Sequence, residues 1–300
     1  MPPAHHAALG YSPSSIGLVF AFVIGLECFL YARGWRRMQA ASVRAIPVWH
    51  AASFFVGMSL IWVALGSPLA AYDHDLLTVH MIKHLLLMTF APALILLGEP
   101  MLAFWHALPQ STQVVLRPLF RRPSVQRFAH VLSGPALCWT VSAFTLMGWH
   151  VPALFTLGLR SEVWHAVEQV SFIGAGFLFW WPVVQPWPSV TTGPRWSTLL
   201  YLFLATLPCD VLSGFLVFSD RVAYPVYLST SRQTGLSVLE DQQAAGALMW
   251  TCVTIVYLVP AVILTTRLLS PRCSPEDEVV QSELRGSAVP QRAPQSVEVV

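Results

Sequence analysis

Long apolar runs alternate with short polar connections along this chain, and the length of the runs is informative. A helix needs about 20 mostly apolar residues to cross a bilayer. Seven runs meet this length, at residues 14–32, 47–66, 77–97, 135–155, 164–184, 196–218 and 245–268. Their residues do not alternate apolar and polar as membrane β-strands do. The pattern therefore predicts an all-α integral membrane protein, a bundle of seven transmembrane helices.

The polar segments divide the chain around this bundle. We expect residues 1–13 to be a short extracytoplasmic N-terminus, 14–269 the membrane domain, and 270–300 a disordered cytoplasmic tail. The N-terminus lacks the basic region of a secretory signal, so the first run is predicted to be a retained helix. The connection 99–134 is amphipathic and suits the membrane interface, and the loop 219–244 is predicted to cap the bundle from outside.

Composition and charge agree with a membrane protein and give its orientation. The chain is 55% hydrophobic and 11% charged, which excludes an ordinary soluble domain, and it has no block of like charges that would indicate nucleic-acid binding. Thirteen arginines fall in the connections after the first, third and fifth runs, at the inner end of the seventh run and in the tail, whereas three fall in the other connections. Positive loops stay inside, so the N-terminus is predicted outside and the C-terminus in the cytoplasm.

The third run opens with the unusual stretch "HMIKHLLLMTF" at residues 80–90. His80 and His84 are four residues apart and therefore share one helix face, which Met88 continues one turn further. Helices present two imidazoles to one metal ion at this spacing. Lys83 does not suit a cation site, and we expect its ammonium to snorkel outward or to pair with Asp73, Asp75 or Asp210.

Four other helices bring polar groups to the same level once the orientation is applied. His150 ends the fourth run, His165 and Glu168 share a face at the start of the fifth, Asp210 lies late in the sixth, and Asp241 precedes the seventh. Each charged group at membrane depth costs at least a few kcal/mol. Their convergence in the outer third of the bilayer therefore predicts mutual pairing, a wet cavity or a bound cation.

Four segments together resemble a known family over about residues 15–268. These are "HMIKHLLLMTFAPALILLGEP", "GWHVPALF", "WHAVEQVSFIGAGFLFWWPV" and "DQQAAGALMW", and in this order they are similar to the polytopic CtaG-like assembly factors of caa-type cytochrome c oxidase. The resemblance implies a multi-pass protein of the bacterial plasma (inner) membrane that matures a terminal oxidase by handling copper. It implies as partners oxidase subunits, membrane lipid and a periplasmic copper chaperone.

The family pattern falls on residues that the topology has already brought together. These are His80, His84, His150, His165, Glu168, Asp241, Gln242 and Gln243. A glutamine often stands in the family where this chain has Lys83, so the resemblance implies no role for that lysine.

The residue types point to a metal. Imidazoles suit copper, zinc and iron, and thioethers favour Cu(I). Our hypothesis is a copper site made from His80, His84, His150 and His165, with Glu168 and Asp241 as outer-shell or alternative ligands. Further candidate ligands are Met81, Met88, Asp210, Gln242 and Met249.

Two other functions remain open from the sequence. A b-type haem could be clamped between His84 and His165. A proton-coupled transporter could use Asp210, Glu168 and the histidines, although the polar groups stop in the outer third and leave no evident path inward. The sequence lacks a GxSxG, a phosphate loop and an HExxH motif, so we do not predict an enzyme.

Overall fold

The computed structural model describes residues 15–40, 46–67, 72–185, 195–229 and 235–270. Within these ranges the chain is helical and has no β-strand. The elements are α1 (Ser15–Ala40), α2 (Val48–Gly66), α3 (Leu77–His84), a π-helix (Leu85–Phe90), α4 (Ala91–Leu97), α5 (Pro100–Ala107), α6 (Gln110–Phe120), α7 (Pro123–Leu132), α8 (Pro135–Trp149), α9 (Pro152–Arg160), α10 (Glu162–Val184), α11 (Arg195–Phe218), a 3-10 helix (Pro225–Ser229) and α12 (Val238–Leu269). The predicted N-terminal segment 1–13 and the tail after Ser270 lie outside the described residues.

Six helical segments of the described chain are long and apolar enough to cross a membrane. They are α1, α2, the continuous rod of α3, π-helix and α4, and then α10, α11 and α12. Helices α7 and α8 pass the same test only as a pair, and they are bent by 52° at the break between them. The prediction of a multi-pass helical bundle is therefore confirmed, with six spans, or seven if the bent pair is one span.

The fourth predicted run ends earlier than expected. It was predicted to reach residue 155, but α8 stops at Trp149 and α9 begins at Pro152. Proline has no backbone N–H and disfavours a helical conformation in the residue before it, and Val151 is accordingly extended, with φ −64° and ψ 125°. His150 therefore lies in a break between two helices.

The last span begins earlier than expected, at Val238 instead of residue 245, because a capping box stabilises its first turn. The Ser237 hydroxyl accepts a hydrogen bond from the Glu240 N–H at 3.2 Å, and the Glu240 carboxylate accepts one from the Ser237 N–H at 2.7 Å. These bonds satisfy backbone donors that a helix start leaves unpaired. Asp241 and Gln242 consequently lie inside the first turns of α12.

The rod of α3, π-helix and α4 is the centre of the bundle. In the most apolar stretch of this rod, 61% of the residues are buried inside the protein. In the corresponding stretches of α1 and α12 the buried share is 11%. Helix α2 packs on α4, α10 packs on the π-helix and α4, and α12 packs on α3. The span that carries His80, Lys83 and His84 is thus surrounded by protein, while α1 and α12 present apolar side chains outward, as lipid-facing helices do.

The π-helix directly follows His84 and has a local cause in the sequence. Pro92 has no N–H, so the carbonyl of Met88 cannot receive the hydrogen bond that a continuous α-helix would give it. Gly176 of α10 packs against this point, where an added Cβ would lie 2.5 Å from the Met88 carbonyl oxygen. Glycine therefore allows α10 to approach the rod closely beside His84.

The connection 99–134 forms three short helices, α5, α6 and α7. The Arg37 guanidinium at the end of α1 donates to the carbonyl of Ala107 at 3.0 Å and so stabilises the end of α5. No residue of α6 or α7 is buried.

Candidate metal centre

Helix α3 presents His80 and His84 toward Glu168 of α10. The two imidazole rings have centroids 4.3 Å apart. The Nε2 atoms of His80 and His84 lie 3.6 Å and 3.5 Å from Glu168 Oε1. The three side chains are 1%, 7% and 1% exposed, respectively. We call these three residues the buried cluster.

Most polar atoms of the buried cluster have no hydrogen-bond partner in the described part of the chain. This applies to both ring nitrogens of His80, Nδ1 of His84 and both carboxylate oxygens of Glu168. Leaving such groups buried and unpaired costs about 1–3 kcal/mol each, and more for a charge. Their ligand atoms lie within 4.8 Å of one another. The two nitrogen–oxygen separations are close to the about 3.3 Å between neighbouring ligands of a tetrahedral ion. The residues therefore fit a metal cation.

Two aromatic rings pack against the imidazoles of the buried cluster. Phe172 stacks on His84 with ring centroids 4.0 Å apart, and Phe155 lies 4.8 Å from His80. A cavity of ≈ 40 Å³ adjoins His84, and its lining includes Met88, Cys209 and Met249. The surroundings of the buried cluster thus combine apolar walls with sulfur atoms, which are ligands that Cu(I) favours.

His150 and Met81 lie next to the buried cluster and face each other. His150 Nδ1 is 2.7 Å from the Leu146 carbonyl oxygen, which can only accept, so Nδ1 carries the proton and Nε2 has a lone pair in the neutral ring. That Nε2 is 3.3 Å from the Met81 sulfur. The rings of His150 and His84 are 5.8 Å apart. His150 Nε2 and the Met81 sulfur therefore add two further candidate donor atoms beside the buried cluster.

His165 lies outside the buried cluster and joins a second group of residues. Its Nε2 is 3.2 Å from Asp73 Oδ2 and 3.0 Å from the Gln169 side-chain nitrogen. Lys83 forms an ion pair with the same Asp73 oxygen, which confirms one of the partners expected for this lysine. His74 Nε2 is 3.5 Å from the other Asp73 oxygen. We call Asp73, His74 and His165 the outer cluster.

The structure therefore divides the predicted four-histidine site into two groups. His165 is three residues before Glu168 on α10, almost one turn closer to the helix start, which explains its place beside the loop that holds Asp73. Its engagement with Asp73 and Gln169 gives no support to a haem held between His84 and His165. Asp210 is half-buried on α11 and belongs to neither cluster.

Asp73 is a charged group at the centre of the outer cluster. Burial raises the pKa of its carboxyl, but the hydrogen bond with His165 and the charge of Lys83 lower it more, so that the pKa lies below its ordinary value. Asp73 therefore carries a full negative charge at neutral pH.

Asp241 and Gln242 position other elements. The Asp241 carboxylate accepts hydrogen bonds from the N–H groups of Leu77 and Thr78, at 2.8 Å and 3.2 Å, and from the Thr78 hydroxyl at 2.7 Å. It thus caps the start of α3 from another helix. The Gln242 amide holds the loop 219–223, accepting from the Ala223 N–H at 2.7 Å and donating to Arg221 at 3.2 Å.

Four residues in or around these clusters were not among the predicted ligands: Asp73, which was predicted only as a partner of Lys83, and His74, Tyr224 and Tyr227. The Tyr227 hydroxyl donates to the Asp73 carbonyl at 2.9 Å, and the Tyr224 hydroxyl donates to the His150 carbonyl at 3.0 Å. Tyr224 also stacks on Phe155 at 4.0 Å. The loop that carries them therefore packs against Asp73 of the outer cluster and against His150 and Phe155 beside the buried cluster. The only sequence signal for His74 was its position between two aspartates just before the third run.

A carboxylate and several imidazoles buried inside a multi-pass helical bundle define a membrane protein with a candidate metal centre. Comparison with protein families makes the assignment specific. The model of the cytochrome c oxidase caa3 assembly factor family (Caa3_CtaG) matches residues 29–270, and the chain belongs to this family.

Curated relatives of the chain are mycobacterial proteins without an assigned function. An uncharacterized protein of Mycobacterium bovis is 24% identical over 248 residues, which cover 79% of this chain and 36% of the relative. An uncharacterized protein of Mycobacterium leprae is 22% identical over 276 residues, covering 88% and 40%. The chain thus spans well under half the length of these relatives. No solved structure matches it.

Proposed function

We propose that this assembly factor binds copper as cargo at the buried cluster and supplies it for the maturation of a cytochrome c oxidase. The observation that carries the proposal is the convergence of His80, His84 and Glu168, whose buried polar atoms are largely unpaired. The family's role in oxidase assembly agrees with a copper cargo.

The donor set favours copper over harder cations. Two imidazoles and one carboxylate would also suit zinc, but His150 with Met81 and the sulfur-bearing cavity beside His84 add soft donors. Cu(I) is therefore the expected form of the cargo. Glu168 would neutralise the charge of the bound ion inside the bundle.

We propose further that both clusters face the outside of the bacterial plasma membrane. The arginine distribution supports this orientation, with the N-terminus outside and the C-terminus in the cytoplasm. The division into an N-terminal segment, a membrane domain over 14–269 and a cytoplasmic tail belongs to the same proposal. A periplasmic copper chaperone would then deliver the ion, and oxidase subunits would receive it.

The proposal is tested by metal titration of the full chain purified in detergent. We expect the wild type to bind Cu(I) in competition with a chromogenic chelator, and the His80→Ala plus His84→Ala variant to lose more than about 100-fold in affinity at this site. Zn²⁺ should bind more weakly than Cu(I), and the absorption spectrum should lack a haem Soret band.

The matched control removes two histidines elsewhere. His106 lies on α5 and His130 on α7, away from both clusters, so His106→Ala plus His130→Ala should leave Cu(I) affinity unchanged. Equal copper binding by the wild type and the His80/His84 variant would refute the proposal. Oxidase activity in a deletion strain carrying each variant then shows whether the bound copper is used.

A further inference from the structure

The outer cluster has the features of a metal site of its own. The ligand atoms of Asp73, His74 and His165 all lie within 4.8 Å of one another. Asp73 is fully buried, and its Oδ1 has no hydrogen-bond partner in the described part of the chain, although His74 Nε2 is 3.5 Å away. An unpaired carboxylate oxygen beside an imidazole nitrogen suits a cation.

Exposure decreases stepwise from the outer to the buried cluster. His74 is 50% exposed, His165 is 15% exposed and His80 is 1% exposed. The ring centroids of His74 and His165 are 5.4 Å apart, and those of His165 and His80 are 6.3 Å apart. Successive imidazoles are therefore close enough for a cation to move between them after small side-chain rotations.

Lys83 already places one positive charge at the outer cluster. Its side chain is 3% exposed, its ammonium pairs with Asp73 Oδ2, and it lies 3.5 Å from His165 Nε2. A metal ion bound to Asp73 would bring a second positive charge against this ammonium in a poorly solvated place, where like charges repel strongly. Metal binding at Asp73 and the Lys83–Asp73 ion pair therefore oppose each other.

We propose that Asp73, His74 and His165 form a second metal site that receives copper from outside and passes it to the buried cluster, with Lys83 as the resident cation that the metal displaces. The transfer rests on the proposed function, whereas the outer site can be tested without it. Lys83 keeps Asp73 neutralised when no metal is bound, and its return to Asp73 would favour release of the ion inward.

The first test isolates the outer site in the full-length His80→Ala plus His84→Ala variant. Titration with Cu(I) should show residual binding of about one ion per chain, weaker than in the wild type. Adding His74→Ala should abolish it, and adding Lys83→Met should strengthen it at least about tenfold by removing the competing charge. Adding Asp75→Asn, in the same loop, is the control and should change nothing.

The second test measures transfer in the otherwise unchanged chain. His74 is half exposed, so His74→Ala should fold normally, which thermal unfolding verifies. We expect this variant to load the buried site at least about tenfold more slowly in stopped-flow mixing with Cu(I). The equilibrium affinity of the buried site itself should be unchanged.

Each outcome decides a different point. No residual binding in the His80/His84 variant, or binding indifferent to His74 and Lys83, would overturn the outer site while leaving the buried site intact. An unchanged loading rate in His74→Ala would overturn the transfer. Equal binding by wild type and the His80/His84 variant, still sensitive to His74, would refute the proposed function and retain the outer site.

Discussion

Glu168 on α10 and Asp241 on α12 are both buried carboxylates, but their surroundings are opposite. Asp241 accepts three hydrogen bonds at the start of α3, whereas both oxygens of Glu168 lack a hydrogen-bond partner in the described chain. A carboxylate whose acceptor sites are filled by helix N–H groups serves stability. A carboxylate that is buried without a hydrogen bond, with only two imidazoles near one of its oxygens, suits the proposed metal ligand.

The two carboxylates should therefore respond differently to substitution. Asp241→Ala should lower the unfolding free energy of copper-free protein by roughly 0.5–2 kcal/mol, the usual effect of losing a helix cap, and keep the copper stoichiometry. Glu168→Gln should weaken copper binding without comparable loss of stability. Thermal unfolding in detergent and Cu(I) titration measure the two effects.

The exposed Asp220 provides the control for charge removal at the same end of the bundle. Asp220→Ala should change neither quantity. If Asp241→Ala removed copper binding from a protein that still unfolds cooperatively, Asp241 would be a ligand after all.

At the residue scale, helical spacing was enough to anticipate that His80 and His84 share a face and that Glu168 lies on the face of α10 with His165. It could not anticipate which carboxylate each histidine meets. The His165 imidazole lies beside the carboxylate of Asp73, a loop residue. The carbonyl of Asp73 accepts a hydrogen bond from the Tyr227 hydroxyl, 154 positions later in the chain. Contacts of that range leave no periodic signal in a sequence.

Helix α10, which carries Glu168, approaches the central rod closely at the π-helix. Gly176 is buried against the Met88 carbonyl, while Gly174, two residues earlier, has nothing within 4 Å of an added Cβ. The two glycines are a matched pair on one helix, since only one of them is needed for close packing.

We expect Gly176→Ala to destabilise the protein by about 1–3 kcal/mol, because the new methyl group would overlap backbone that cannot yield without moving the helix. The same shift should withdraw Glu168 and weaken copper binding. Gly174→Ala should be neutral or stabilise α10 by up to about 1 kcal/mol through helix propensity. Thermal unfolding and Cu(I) titration of both variants check this; equal effects would show that the π-helix contact does not position the site.

At the element scale, hydropathy identified the apolar segments well because burial in lipid demands long apolar runs. The boundaries that it missed were decided by single residues. Pro152 ends α8 at Trp149, and the Ser237 capping box starts α12 at Val238. The π-helix leaves no hydropathy signal, since its residues are as apolar as those of an α-helix.

At the scale of the whole molecule, both clusters lie at one end of the bundle, the end where α3, α10 and α12 begin. The proposed orientation places this end outside. In a chain whose native cysteines are replaced by alanine, Asp220→Cys should react with a membrane-impermeant maleimide in intact cells. Arg121→Cys, in the connection between α6 and α7, should react only after the membrane is opened. The opposite labelling pattern would reverse the orientation and make the cytoplasm the source of the metal.

The Lys83–Asp73 ion pair has a consequence for how the protein is made. Its partners are ten residues apart, in one turn-and-helix segment, so they can meet as soon as that segment leaves the ribosome. Inserting a lone ammonium into a bilayer is expensive, whereas a neutralised pair enters with a smaller penalty. The helix that carries both histidines can therefore be integrated during synthesis before α10 arrives with Glu168, and the proposed copper site is complete only once the later helices have been made.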